Sequence, residues 1–327
     1  MAINTAFPMV PSSAYTPHWL HNGERIWPQS NCYMDLWIEA LHALHLHPIA
    51  SFAFTIGIDF EGDQWTFFKV PSYDLLRLYG IDVQELNIWH AMLDHLLVQV
   101  GKNRLVLIEV DAFYLPDVHA TNYHQQHEKT TIGVQMIDLE QQKLGYFHNS
   151  SYYTLQGEDF VGIFQLEGTT GVVLPPYVEI AKLNHLKRLN ETELQLLSTE
   201  LLREHYQRRP DLNPFLAYRQ AFQGYLDQIQ AQNLADFHGY AFAHLRQFGA
   251  SYEYASLFLR WLASSSQDSS LLEAAKHFEE ISTNAQTLLL KTARTAHNKK
   301  PFAIAPFFDA LEDHWEQAMH ALSYLLR

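Results

Sequence analysis

Gln29-Ser30-Asn31-Cys32-Tyr33-Met34-Asp35-Leu36-Trp37 opens a helical pattern that extends to Leu46. It sets the single cysteine of the 327-residue chain at the mouth of a helix. With Ser30 as N-cap, Cys32 falls in the first turn, where unbonded N–H groups and the helix dipole favour negative charge. A thiol attacks as its thiolate and ordinarily titrates at about 8.5, so this placement suits a nucleophile. The bland alternative is a small buried hydrophobe, the usual fate of a lone cysteine. Further on, His119, His124 and His127 precede the strand-like run Thr130 to Ile137.

A thiol on an early helix and an imidazole on a later strand is the layout of papain-like cysteine enzymes. His127 is the expected base, because the strand that follows can hold it rigidly. His124 is the main rival and His119 a weaker one, and all three could equally decorate a loop. Thr130 to Ile137 and Lys143 to Phe147 read as a hairpin around Asp138-Leu139-Glu140-Gln141-Gln142. Antiparallel pairing returns the end of the second strand to the start of the first. Asn149 is therefore the expected third member, orienting the imidazole, with Asp138 or His148 as alternatives. An asparagine accepts from the ring without adding charge, although Asn149-Ser150-Ser151 also reads as a plain turn. The Cys32 N–H and the side chain of Gln29 or Asn31 are the expected oxyanion donors. Amides before a helix are also common caps.

Length and pattern point to two domains: an α+β domain over 1–175 and an all-α domain over 176–327, parted at Pro175-Pro176. In the first, Ile49 to Ile58, Gln64 to Val70 and Leu105 to Val110 look like strands, as does the pair Val161 to Leu166 and Gly171 to Leu174. Val83 to Val100 follows a helical period and ends at Gly101. In the second, helices are expected over Tyr177 to Leu189, Glu191 to Tyr206, Asn213 to Gln230, Leu234 to Phe248, Tyr252 to Ala263, Ser270 to Thr295 and Ala305 to Leu326. Asn190 with Glu193 forms a capping-box pattern.

With 47% hydrophobic residues the chain can bury a sizeable core. One cysteine excludes an intrachain disulfide, and no signal peptide or bilayer-spanning run is visible, so a cytoplasmic protein off the membrane is expected. A net charge of -14 argues against nucleic acid as a partner. His42, His45 and His47 share no single helix face, and Asp59, Glu61 and Asp63 read as a solvated turn, so no metal site is expected. Gly145, Gly157 and Gly162 lack the spacing of a phosphate loop.

Asn31-Cys32-Tyr33-Met34-Asp35-Leu36-Trp37-Ile38-Glu39, Asp59-Phe60-Glu61-Gly62-Asp63-Gln64-Trp65-Thr66-Phe67-Phe68-Lys69 and His127-Glu128-Lys129-Thr130-Thr131-Ile132 resemble a bacterial family of unknown function, number 1839. Tyr146-Phe147-His148-Asn149 and Leu155-Gln156-Gly157-Glu158-Asp159-Phe160 do too. The resemblance covers most of the chain and implies no assigned activity. More distantly, Glu109-Val110-Asp111-Ala112-Phe113-Tyr114-Leu115-Pro116 followed by a histidine and a strand is similar to the butirosin-type acyltransferases. Those pair a papain-like N-terminal half with a helical C-terminal half. The resemblance implies Cys32 as nucleophile, His127 as base, and a third member near His148-Asn149, where the relatives tend to have aspartate. Asp111 and Tyr114 become the expected substrate contacts.

The resemblance thus implies a cysteine-dependent acyl or aminoacyl transferase without a bound cofactor. The donor would be a phosphopantetheine thioester on an acyl or peptidyl carrier protein, and the acceptor a small amine. Arg203, Arg208 and Arg209, or Lys291, Arg294, Lys299 and Lys300, could meet an acidic carrier, or could be ordinary solvated helix faces. The alternatives are a hydrolase of an amide, peptide or thioester, and a non-catalytic binding protein on the same fold.

Overall fold

The computed structural model describes residues 3–21, 23–166, 176–229, 234–300 and 302–326. Its contacts divide the chain into two units, each assembled from pieces distant in sequence. The first unit comprises Met1–Asn22, Asn31–Pro48 and Pro71–Arg188, and the second Gly23–Ser30, Ile49–Val70 and Leu189–Arg327. The first unit therefore continues past the proline pair at 175 and 176.

In the first unit, β1 (Asn4–Thr5) is followed by α1 (Cys32–Ala43), α2 (Ser72–Tyr79), β2 (Asp82–Glu85), α3 (Met92–Val100) and β3 (Arg104–Asp111). Then come β4 (Lys129–Asp138), β5 (Lys143–His148), β6 (Ser151–Gln156), α4 (Glu158–Ile163) and β7 (Val178–Lys182). The strands form one antiparallel sheet in the order β2-β7-β3-β4-β5-β6, with β1 paired to β4. Leu105 to Ile108 are all buried, because both faces of the central strands are covered. On one face α1 crosses the sheet, with Leu36 Cδ1 over Gly133. On the other, Leu96 and Val100 of α3 join Val106, Ile132, Val134 and Val178 in a common core. The β4–β5 register shifts between Val134 and Met136, which keeps Ile137 on the same buried side as Val134.

The expected hairpin and central strand are present. Several other expectations are corrected. Pro48–Gly57 is a 3₁₀ helix, not a strand. Its β-branched and aromatic residues suggested a strand, but the buried set Ile49, Phe52, Ala53 and Ile56 has helical spacing. Gln64 to Val70 holds a single bridge, Phe60 to Trp65, rather than a strand. The helix expected over 83–100 is β2 followed by α3. The helix expected over Tyr177 to Leu189 contains β7, which fills the slot between β2 and β3. Long-range pairing decides both segments, and local periodicity cannot register it. Val161 to Leu166 takes in the end of α4 and a turn, and Gly171 to Leu174 lies outside the described residues.

The second unit is helical: α5 (Glu191–Gln207), α6 (Pro214–Ile229), α7 (Leu234–Tyr240), α8 (Gln247–Ser266), α9 (Ser269–Asn298) and α10 (Ala305–Ala321). The Asn190–Glu193 capping box starts α5 as expected. Ala241–Arg246 is π-helical and joins α7 to α8, so two expected helices run together. Phe248, Phe258, Phe278, Ile281 and Leu311 are fully buried in the core of this unit. Among the described residues no helix is long and apolar enough to cross a membrane.

Candidate active site

Asn31, not Ser30, caps α1: its Oδ1 accepts from the Met34 N–H at 2.9 Å. Cys32 is thereby the first helical residue, half-buried, in the turn whose N–H groups have no intrahelical acceptor. Tyr33 reaches down to the sheet, donating its hydroxyl to Glu179 Oε2 of β7 at 2.7 Å. Tyr177 donates to the other oxygen at 2.8 Å, so this buried carboxylate has a donor at each oxygen.

The base geometry sits at the far end of β3. Asp111 Oδ1 accepts from the Phe113 N–H at 3.0 Å and the Glu128 N–H at 3.3 Å. Those two bonds fix the carboxylate, and its Oδ2 lies 2.6 Å from His127 Nδ1. The His127 ring stacks on Phe113, with centroids 4.4 Å apart and planes 10° from parallel. With Nδ1–H donating to Asp111, Nε2 keeps its lone pair, which is the tautomer a general base requires. The pair lines a cavity of about 830 Å³ together with Glu109, Tyr114, Glu128 and Lys129. Gly162 lets Tyr114 into the wall, since a Cβ there would stand 2.2 Å from the ring.

The other candidates are placed elsewhere. His124 Nε2 faces Asp159 Oδ1 at 3.1 Å, and Tyr123 donates to Asp159 Oδ2 at 2.9 Å. His119 is exposed. Asn149 is a turn residue with φ +47°, its Nδ2 3.4 Å from His148 Nδ1, and it makes no bond to His127. Asp138 closes the β4–β5 turn by accepting from the N–H groups of Glu140 and Gln141. His148 is buried, with Nδ1 2.6 Å from Asp117 Oδ2 and Nε2 2.8 Å from Thr130 Oγ1. The hairpin does return its second strand to the start of β4, but it delivers His148 to Thr130. His127 leaves the strand towards β3 instead, where Asp111 holds it. The residue that sequence reasoning marked as a substrate contact thus orients the ring. Register across β3 and β4, where Asp111 faces Lys129, is the cause.

Cys32 and the His127–Asp111 pair are not joined. Among the described residues the Cys32 sulfur has no imidazole within hydrogen-bond reach. Asn31 accepts the capping bond through Oδ1, whereas an oxyanion would have to be met by its Nδ2, and Gln29 belongs to the second unit. Also in the second unit, Arg203, Arg208 and Arg209 each donate to a backbone carbonyl, those of Leu325, Glu204 and Tyr206.

Behind α1 lies a buried polar cluster. His21 Nδ1 bonds Glu39 Oε1, and its Nε2 lies 3.5 Å from Asp35 Oδ1. Glu39 also accepts from the Tyr15 hydroxyl at 2.5 Å and the His18 N–H at 3.0 Å. Burial pushes the His21 imidazole down, but its hydrogen bonds and charge attraction with Asp35 and Glu39 outweigh that and hold it at about 9. Among the described residues no group of three or more His, Cys, Asp or Glu side chains is arranged to hold a metal ion.

No curated protein matches the chain in sequence. The DUF1839 N-terminal domain matches residues 16–183, and the DUF1839 C-terminal domain matches residues 191–324. Between them they span the sheet-bearing unit's cysteine helix, its His127–Asp111 pair and the helical array, and the chain belongs to the DUF1839 family.

Proposed function

We propose that the protein is a cysteine-dependent acyltransferase of papain-like layout, with Cys32 as nucleophile, His127 as base and Asp111 as the residue that orients it. The observation that supports this most is the 2.6 Å bond between His127 Nδ1 and Asp111 Oδ2 in the wall of the cavity. A carboxylate anchored by two backbone N–H groups and an imidazole held flat on a phenyl ring make a pre-oriented base. Cys32 supplies a half-buried thiol in the first turn of a helix.

The donor is a thioester on the phosphopantetheine arm of an acyl or peptidyl carrier protein, and no resident cofactor takes part. His127 Nε2 takes the Cys32 thiol proton, and the resulting thiolate attacks the thioester carbonyl. The carbon–sulfur bond to the arm breaks, and the departing thiolate takes the proton held by His127. A small amine then attacks the Cys32 thioester, its nitrogen bonds the carbonyl carbon, and the bond to Cys32 breaks. His127 accepts the amine proton and the Cys32 thiolate is regenerated. The sequence is redox-neutral. It requires Cys32 and His127 to close to hydrogen-bond distance on loading, and catalytic contacts are often long before substrate binds.

The His127 side chain is 69% exposed, which favours water as a competing acceptor, so hydrolysis is the second reading. Intact mass after incubation with a loaded carrier tests the scheme. An acyl adduct on the wild type that disappears in Cys32→Ala and slows in His127→Ala is expected. No adduct with several acyl groups, or an undiminished adduct in Cys32→Ala, refutes it. Product analysis with and without amines separates transfer from hydrolysis.

A further inference from the structure

The cavity beside His127 has two chemically distinct zones. Its apolar lining comprises Ile108, which is buried, and Ile88, Met92, Val110, Ile163 and Phe164, which are half-buried and packed against the core of the first unit. Its acidic lining comprises Glu109, Asp111 and Glu128, set against a single lysine, Lys129. Lys129 is already engaged with Glu109 at 2.6 Å, whereas Glu128 is met by the neutral Asn122 amide at 2.7 Å. Trp89 also lines the cavity, 76% exposed as a residue, with its ring centroid 3.4 Å from that of His90. His95 Nε2 accepts from the N–H groups of Trp89 and His90, so the segment bearing this ring is tied down.

We propose that this cavity binds a primary amine carrying an apolar body. The apolar part lies against Ile88, Met92, Ile163 and Phe164. The ammonium lies among Glu109, Asp111 and Glu128. The lining disfavours two other classes. A carboxylate of the same chain length meets repulsion from the acidic zone. A polyamine without an apolar body leaves the apolar zone unfilled. Only the assignment of this amine as the acyl acceptor rests on the proposed transferase; binding itself needs no thiol.

Titration calorimetry with n-hexylamine, n-butylamine, hexanoate and putrescine on the full chain tests this. n-Hexylamine is expected to bind with one-to-one stoichiometry. The two additional methylenes should make it roughly tenfold tighter than n-butylamine. It should also exceed hexanoate by about tenfold or more, a preference that narrows in Glu109→Gln/Glu128→Gln. Ile163→Trp, which fills the apolar zone, should remove the chain-length dependence, and Cys32→Ala should leave binding unchanged. Hexanoate or putrescine binding as tightly as n-hexylamine, or no saturable binding by n-hexylamine, overturns the inference. Amine binding without any Cys32 adduct would overturn the transferase and leave this site standing.

Discussion

Replacing His21 by glutamine probes what holds the cysteine helix in place. The imidazole sits between two carboxylates of α1, Asp35 and Glu39, and all three side chains are shut off from solvent. Glutamine keeps a hydrogen-bonding side chain but cannot carry the charge. In the folded chain the imidazole is held up from 6.5 to about 9. At about 1.4 kcal/mol per pH unit, that difference corresponds to about 3 kcal/mol of stability. A group raised in the folded state stabilises fully below its unfolded value. The contribution is therefore complete below about pH 6.5, declines as pH rises, and is gone above about 9. Denaturant unfolding of wild type and His21→Gln from pH 5.5 to 10 measures it. The difference between the two proteins should shrink by about 3 kcal/mol across that range, with tyrosine and lysine titrations cancelling in the comparison. Parallel pH profiles, or an NMR titration of His21 near 6.5, would refute the reasoning.

Asp111→Asn removes the carboxylate that orients His127, and the rate of acyl-adduct formation should fall by about a hundredfold or more while far-UV circular dichroism stays unchanged. Gly162→Ala drives a methyl group into the Tyr114 ring, which approaches within 2.2 Å of the Cβ position. It should cost about 1–3 kcal/mol in unfolding experiments, and Tyr114→Ala in the same chain should recover part of that. Asn31→Ala deletes the α1 cap and should cost about 1 kcal/mol in the same measurement.

Local signals in the sequence were sufficient where a segment's neighbours in space are also its neighbours in sequence. The hairpin of β4 and β5, the Asn190–Glu193 capping box and the helical stretch from Cys32 follow from turn residues, caps and periodicity. The same signals misled where a distant strand intervened. Val178–Lys182 and Asp82–Glu85 become strands because each completes the other's backbone pairing. Glu179 illustrates the point: it falls in a segment that reads as a helix, yet two tyrosine hydroxyls satisfy it inside the sheet.

The site divides in the same way. Cys32 at a helix start and His127 before a strand are legible because both depend on a few adjacent residues. Asp111 as the partner of His127 is not, because it depends on β3 and β4 lying side by side in one register. The amino-acid order by itself determined the β4–β5 hairpin, the helix that begins at Cys32 and so where the thiol stands. Tertiary structure alone decided which carboxylate meets which imidazole, because a bond of 2.6 Å is set by strand register and loop path, to which composition and spacing are blind.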